Sequence, residues 1–321
     1  MRTDQVGVAI VGVGGIAALH VAALRTSDVA RLVAVCDVDA DRAGQLAHAE
    51  GVCAVSSCAE LLDLPDVEAV IVCTPNVTHR ELGEQVLRAG RHLLMEKPLA
   101  LTVADARSLA TLARDSGLAL AVGHSHRFSD QGRAIHEAIS RGAVGTPQFV
   151  RVVMNGGWIW PGWQAWVLDP ALSGGHALHN GIHLVDLASW WLGEPVVSVF
   201  AAGQHATSAA LSIHDYLVME LGFASGAAAV CEISRAERPR GANLLELTVV
   251  GSEAVLTRAW DADGLRAWTE EGFATWAPDG SSARTFQAEI DAFADAVRGR
   301  APVNPPTTEA VSAVAVAVAA E

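Results

Sequence analysis

The chain has 321 residues, 51% of them hydrophobic, and carries 22 Lys and Arg against 36 Asp and Glu, a formal net charge of −14. That length suits two domains with sizeable cores, and the acidic balance without a basic run argues against nucleic acid or an anionic membrane surface as the main partner. Five cysteines (Cys36, Cys53, Cys58, Cys73, Cys231) form an odd set with no C-x-x-C pair, which fits small core residues in a reducing cytoplasm.

Val6 to Val11 reads as a buried strand running into Gly12-Val13-Gly14-Gly15-Ile16-Ala17, a G-x-G-x-x-A turn that opens a helix through Leu19, Val21 and Leu24. In such a turn Gly12 permits the tight bend, Gly14 lets backbone approach a pyrophosphate, and small Ala17 lets helix and strand pack closely. Gly12, Gly14, Gly15 and Ile16 are therefore candidate cofactor contacts. A second apolar strand, Leu32 to Cys36, ends in Asp37, twenty residues after Ala17. A carboxylate there would accept hydrogen bonds from both ribose hydroxyls and repel a 2′-phosphate, so NAD is expected over NADP, with Arg42 nearby able to tolerate a phosphate. The longest apolar and glycine run, Val6 to Leu19, is this turn unit and is too short to span a bilayer. No export or anchor signal is read, and a cytoplasmic protein is expected.

A polar helix, Asp39 to Glu50, follows, then a short helix toward Leu62 capped by Ser56 or Ser57. Val67 to Cys73 is the next buried strand, closed by Thr74-Pro75-Asn76. Those three residues and His79 fall at the carboxyl edge of a parallel sheet, where a cofactor is contacted. A helix over 78–89 ends at Gly90, and a strand over 92–95 leads to Glu96-Lys97-Pro98. A capped helix over 102–116 and a strand over 118–122 precede Gly-His-Ser-His-Arg-Phe. Strands alternating with helices predict a doubly wound parallel sheet, an α/β dinucleotide-binding domain over residues 1–123.

The composition shifts near Gly145-Thr146-Pro147. A strand over 148–154 leads to WIWPGWQAW, with Trp158, Trp160, Trp163 and Trp166, and a helix is expected over 176–192. Strands over 196–202, 215–221, 227–233, 244–250 and 254–259 follow without intervening helices. They predict an α+β substrate-binding and oligomerisation domain over 124–321, with an open, mostly antiparallel sheet. A late helix, 287–298, precedes a proline-rich stretch. The tail from Thr307 alternates V-A-V-A-V like a strand, but its alanine content and Thr308-Glu309 favour a helix, one that could pack back on the first domain.

Lys97 stands at the ligand edge between Glu96 and Pro98. It either holds a substrate hydroxyl or is a surface lysine paired with Glu96. On a helix, His176, His179 and His183 stand at i, i+3 and i+7 with Asp186 three further on, so one face could gather them. Three readings are open: a general base for a hydroxyl proton, a metal site, or core and capping histidines. No carboxylate or cysteine signature supports a metal. The tryptophans offer flat faces on which sugar C–H groups stack, or form a core or subunit patch.

These residues carry a resemblance to the Gfo/Idh/MocA family, the glucose–fructose oxidoreductase and inositol dehydrogenase group. It rests on the GVGGIA turn, Asp37, Thr74-Pro75-Asn76 with His79, Glu96-Lys97-Pro98, Gly123 through Arg127-Phe128, and Gly174-Gly175 to His183 with Asp186. The resemblance implies an N-terminal Rossmann domain holding the nicotinamide cofactor, and a C-terminal domain that lines the substrate and forms the subunit contact of a homodimer or homotetramer. It implies Lys97 and His183 as catalytic residues. Many sugar and cyclitol dehydrogenases of the family carry aspartate where this chain has His179, and His179 is expected to assist His183 or bind a neighbouring hydroxyl. His124, Arg127 and the tryptophans Trp158, Trp163 and Trp166 are further candidate substrate contacts. On the helix, His176, His179, Asn180 and His183 join them.

The expected activity is NAD-dependent oxidation of a secondary alcohol in a sugar, sugar derivative or cyclitol. Two rivals use the same fold: glycoside cleavage by transient oxidation and elimination with recycled cofactor, and a non-catalytic nucleotide-binding sensor or assembly subunit.

Overall fold

In a computed structural model of the chain, strand β1 (Val6–Val11) is buried along its whole length and has a parallel neighbour on each side. An unbroken apolar strand is what a sheet covered on both faces requires. The structure describes residues 4–157, 165–205, 211–237, 243–258, 265–269, 272–276 and 282–321. After β1 the chain alternates through α1 (Ala17–Thr26), β2 (Ala30–Cys36), α2 (Ala40–Glu50), β3 (Cys53–Val55), α3 (Cys58–Leu62), β4 (Ala69–Val72), α4 (His79–Arg88), β5 (His92–Met95), α5 (Val103–Asp115) and β6 (Leu120–Val122). The six strands pair in the order β3-β2-β1-β4-β5-β6, every pair parallel. The strand order reverses between β1 and β4, and ligands of doubly wound sheets bind beyond the strand ends at that point. Side-chain oxygens of Asp39, Ser57 and Thr102 accept backbone N–H groups at the starts of α2, α3 and α5, the satisfaction that a helix N-terminus needs.

The remaining elements begin with α6 (Asp130–Ser140), capped by Ser129, β7 (Pro147–Gly156) and the one-turn α7 (Pro170–Ser173). A π-type turn over Ala177–Gly181 runs into α8 (Ile182–Leu192). Then come β8 (Val196–Gln204), β9 (Tyr216–Phe223), β10 (Ala228–Ser234), β11 (Asn243–Gly251), β12 (Val255–Arg258), β13 (Leu265–Thr269) and β14 (Gly272–Trp276). They form an eight-stranded sheet with β7 in the order β14-β13-β12-β11-β7-β10-β9-β8, in which only β7 with β10 is parallel. Helix α8 packs on β7 and β10. Gly181, at the end of the turn before α8, lies against β9, where a Cβ would stand 2.9 Å from the mobile end of the Met219 side chain.

The chain ends with α9 (Ser282–Val297) and α10 (Thr307–Ala320). Two compact units result, residues 1–128 with 281–311, and residues 129–280 with 312–321. The division therefore lies five residues beyond the expected boundary at 123, and the stretch that rejoins the first unit is α9 and the start of α10. The physical cause is a buried face on α9. Phe286, Ile290, Phe293 and Ala294 share one apolar core with Val21 and Leu24 of α1 and with Val8 and Ile10 of β1. The tail is helical, as its alanine content predicts, with Ala310, Ala313, Val314 and Ala317 buried at i, i+3, i+4 and i+7. Helix α6 and strands β13 and β14 have no counterpart in the sequence reading.

Candidate active site

The glycine turn after β1 has two different kinds of glycine. Gly12 has φ +88°, and a Cβ on it would meet the Thr74 methyl at 2.7 Å and the Cys73 carbonyl at 2.9 Å, so the turn lies hard against the end of β4. Gly14 and Gly15 are exposed, with nothing within 4 Å of where a Cβ would stand. That open backbone is the cradle a pyrophosphate needs, and Ile16, half-buried, leads into α1. Asp37 caps the end of β2. Its Oδ2 accepts the Val13 N–H at 2.8 Å, and its Oδ1 accepts the Asp39 N–H at 2.9 Å and the Arg42 guanidinium at 2.8 Å. Burial pushes this carboxyl upward, but the Arg42 bond and the two backbone N–H groups outweigh it and keep Asp37 ionised below the usual carboxylate range. The donor set fits a dinucleotide: open backbone for the phosphates and a fixed anion for the ribose.

The loops after β4 and β5 are tied together by His79. It is fully buried, with Nδ1 2.7 Å from the Pro98 carbonyl and Nε2 3.0 Å from the Thr74 carbonyl. Burial lowers its pKa, and it acts as a brace between loops, with both ring nitrogens turned to backbone. Thr74 and Thr78 hydroxyls share a hydrogen bond of 2.6 Å, Thr78 donates to the Pro75 carbonyl, and Asn76 is buried in the same turn.

Glu96 ends β5. Its Oε1 lies 2.8 Å from His20 Nε2, and its Oε2 accepts the Lys97 backbone N–H at 3.2 Å. Burial raises the Glu96 carboxyl, but the His20 hydrogen bond and charge, the Lys97 charge and the Lys97 backbone N–H together outweigh it, so Glu96 stays charged and fixes the backbone from which Lys97 projects. Sequence reasoning missed His20, which looks like one polar residue on an amphipathic helix. It also missed Glu289 of α9, buried near Glu96 with neither carboxyl oxygen hydrogen-bonded. Burial, then the charge on Glu96, raise the Glu289 carboxyl well above its ordinary value, so it is neutral. His124 is buried just beyond β6, and Arg127, also buried, is held 2.8 Å from Glu309 of α10. All of these belong to the first unit.

The second unit holds the histidine cluster. His176, His179, Asn180, His183 and Asp186 are all buried. His176 donates from Nδ1 to the His214 carbonyl at 2.8 Å, which leaves Nε2 unprotonated and without a hydrogen bond. Burial, then the neighbouring Arg235 charge, drive its pKa down to about 4, so it is a neutral imidazole. Trp166 sets its ring edge-on to His179 with centroids 5.1 Å apart. Arg235, just beyond β10, donates from Nη2 to Asn180 Oδ1 at 2.8 Å. The Ala177 N–H is capped by Glu321 Oε2 at 2.7 Å. The chain passes 177–181 as a π-type turn, so the α-helical period behind the i, i+3, i+7 spacing does not apply over that stretch. Among the described residues no three His, Cys, Asp or Glu side chains are placed to hold a metal ion. Trp158 and Trp163 lie outside the described residues.

Comparison with known proteins decides the family. Residues 6–124 match the oxidoreductase family with an NAD-binding Rossmann fold, and residues 133–257 match the GFO/IDH/MocA C-terminal domain. The chain belongs to the Gfo/Idh/MocA oxidoreductase family. It is an NAD-dependent oxidoreductase whose relatives are dehydrogenases and reductases. It is 31% identical over 240 residues to the myo-inositol 2-dehydrogenase of Thermotoga maritima, covering 71% of this chain and 68% of that one. It is 31% identical over 277 residues to the D-glucoside 3-dehydrogenase of Escherichia coli, covering 80% and 78%. The match to the 1,5-anhydro-D-fructose reductase of Ensifer adhaerens, at 34% identity, spans 61% of this chain and 59% of the relative. Among solved structures, GenD2 from gentamicin A biosynthesis, in complex with NAD, superposes with a TM-score of 0.87 at 31% identity, covering 100% of this chain and 94% of that one.

Proposed function

We propose that this chain oxidises a secondary alcohol of a sugar, sugar derivative or cyclitol. NAD, held by the Gly12–Ile16 turn, Asp37 and the Thr74–Asn76 loop, supplies the hydride acceptor when bound. His183 takes the hydroxyl proton as general base, and Lys97 steadies the developing alkoxide with its charge. His179, its ring against Trp166, orients His183 or holds a neighbouring hydroxyl. The observation that carries the reading is the clamp on Lys97: a lysine whose backbone N–H is hydrogen-bonded to a buried, charged Glu96 is built for a fixed task, not for a solvated surface. Names of relatives that act on inositol and glucosides support the substrate class.

The test is absorbance at the NADH band while purified protein and NAD meet a panel of free sugars, inositols, sugar acids and glycosides. Growth of the band with one class is expected. A silent panel alongside tight NAD binding would reject net oxidation, and release of free sugar from a glycoside in that case would mark the cofactor-recycling reaction. We further infer a homodimer or homotetramer formed through the second sheet. Supporting it, edge strand β8 presents Val197 and Phe200 to solvent, 63% and 69% exposed. A cytoplasmic setting is supported by the unpaired state of all five cysteines. Light scattering of the purified protein measures the assembly.

A further inference from the structure

Phe286 and Glu289 stand one turn apart on α9, and both are buried. Phe286 meets the His20 ring edge-on with centroids 5.0 Å apart, which seats this face of α9 against His20 of α1. The surroundings are apolar, with Ile290 and Phe293 of the same helix, Val21, Ile10, Ile71 and Leu94 in one core. Two groups here keep unmet hydrogen-bonding capacity. His20 Nε2 lies 2.8 Å from Glu96 Oε1, while its Nδ1, buried, has no hydrogen-bond partner among the described residues. Neither Glu289 oxygen has one either. The two are complementary. Ionised Glu96 can only accept, so His20 donates from Nε2, and a neutral ring then holds a lone pair at Nδ1. Glu289 is kept protonated by burial and by the Glu96 charge, so it has one O–H to donate. A donor and an acceptor left unmet in one core each cost free energy that a hydrogen bond recovers, and one enclosed water joins such groups where they stand more than a single bond apart.

We propose that Glu289 is a positioning residue for Lys97: its O–H donates, through one enclosed water, to His20 Nδ1, and so holds the imidazole whose Nε2–H anchors Glu96. The hydrogen bonds then run from α9 through α1 to the Glu96 carboxylate, whose Oε2 accepts the Lys97 backbone N–H at 3.2 Å. Every member lies in the first unit. Because the partner of one ring nitrogen fixes the orientation of the other, losing the Glu289 end leaves Nδ1 unmet and frees the ring to turn away from Glu96. The proposal rests on the reading of Lys97 as the group that steadies the alkoxide.

Ring-nitrogen NMR of the intact protein carrying isotope-labelled histidine, with the His20 signals assigned by their loss in His20→Phe, reads this arrangement directly. At neutral pH, Nε2 is expected to be protonated and Nδ1 unprotonated, with the Nδ1 signal displaced to the position of a hydrogen-bonded acceptor. Glu289→Met, of similar length and with no donor, is expected to move Nδ1 to the free lone-pair position. It is also expected to lower kcat about tenfold, the worth of one neutral hydrogen bond, with the Kd for NAD unchanged. Glu289→Gln, whose amide N–H can donate, is expected to restore both readings. An imidazolium at His20, an Nδ1 signal that Glu289→Met leaves in place, or a Gln variant as impaired as the Met variant overturns the proposal. If the Met variant does not fold, an Nδ1 signal at the free lone-pair position in the parent overturns it equally. The expected spectra with kcat equal in all three proteins reject the action on Lys97. The expected spectra with no turnover of any alcohol support the placement of Glu289 and reject the dehydrogenase reading instead.

Discussion

His20 Nε2 of α1 lies 2.8 Å from Glu96 Oε1, both groups buried, one residue before Lys97. The pair keeps Glu96 charged against its burial. Glu96 therefore contributes stability above the ordinary carboxylate pKa, near 4.3, and that contribution fades as pH falls through its lowered folded value. His20→Phe, which can still meet Phe286 edge-on, strands the carboxylate. Urea unfolding at pH 7 should show a loss of about 3 kcal/mol, which shrinks as pH falls because the stranded carboxyl of the folded variant takes up a proton before that of the folded parent does. The kcat should fall as well, because the Lys97 backbone loses its anchor.

Lys97→Ala and His183→Ala should each lower kcat by about 10² to 10⁴, the range of a removed acid–base or charge-stabilising group. Fluorescence titration with NAD should give a Kd within a few-fold of the unaltered protein for both. A matching loss of NAD affinity would assign the two residues to cofactor binding.

Asp37 is expected to set the cofactor preference by its charge. Asp37→Ser removes the ribose acceptor and releases Arg42 from its 2.8 Å bond. The KM for NAD should rise about tenfold, and NADP should become a usable cofactor through the guanidinium. Initial rates with both cofactors measure this.

Glu289 gives the opposite pH signature to Glu96. Its folded pKa is raised, so the folded state holds a proton that the unfolded chain releases above about pH 4.3, and stability is lost as pH rises toward the folded value. Glu289→Gln removes that loss. The variant should match the parent near pH 4 and exceed it by at least about 1 kcal/mol at pH 8, read as a Tm difference that grows with pH.

Glu321→Ala deletes the side chain that accepts the Ala177 N–H at 2.7 Å. A cost of about 1 kcal/mol is expected, the usual worth of an N-terminal cap. Hydrogen exchange should show the extra opening over 176–183 rather than in α10.

The first sheet was readable because its signals are local. A tight turn at Gly12, a carboxylate at the end of β2 and unbroken apolar strands each act within a few residues. The tail was readable as a helix for a similar reason: alanine and Thr308-Glu309 outweigh a short alternation. The return of α9 to the first unit was not readable, since Phe286 and Phe293 choose their partners among residues of α1 and β1 that lie far away in the chain. Glu289 and His20 escaped for the same reason, as a polar residue on a helix signals solvent until tertiary packing covers it. The histidine constellation was found, but its geometry was read with the α-helical period. Arg235 follows a strand with no motif around it, and only the pairing of β10 into the sheet brings it to Asn180.

The π-type turn over Ala177–Gly181 holds one residue more per hydrogen-bonded ring than the helix it feeds. Deleting a single residue there would restore an ordinary helix and rotate everything before it by about 100° relative to His183. His176 would leave the His214 carbonyl, His179 would leave Trp166, and Asn180 would leave Arg235, while His183 kept its place on α8. Length change at this one spot, rather than substitution, is thus the simplest route by which such a chain could exchange the groups proposed to face substrate and keep the proposed base.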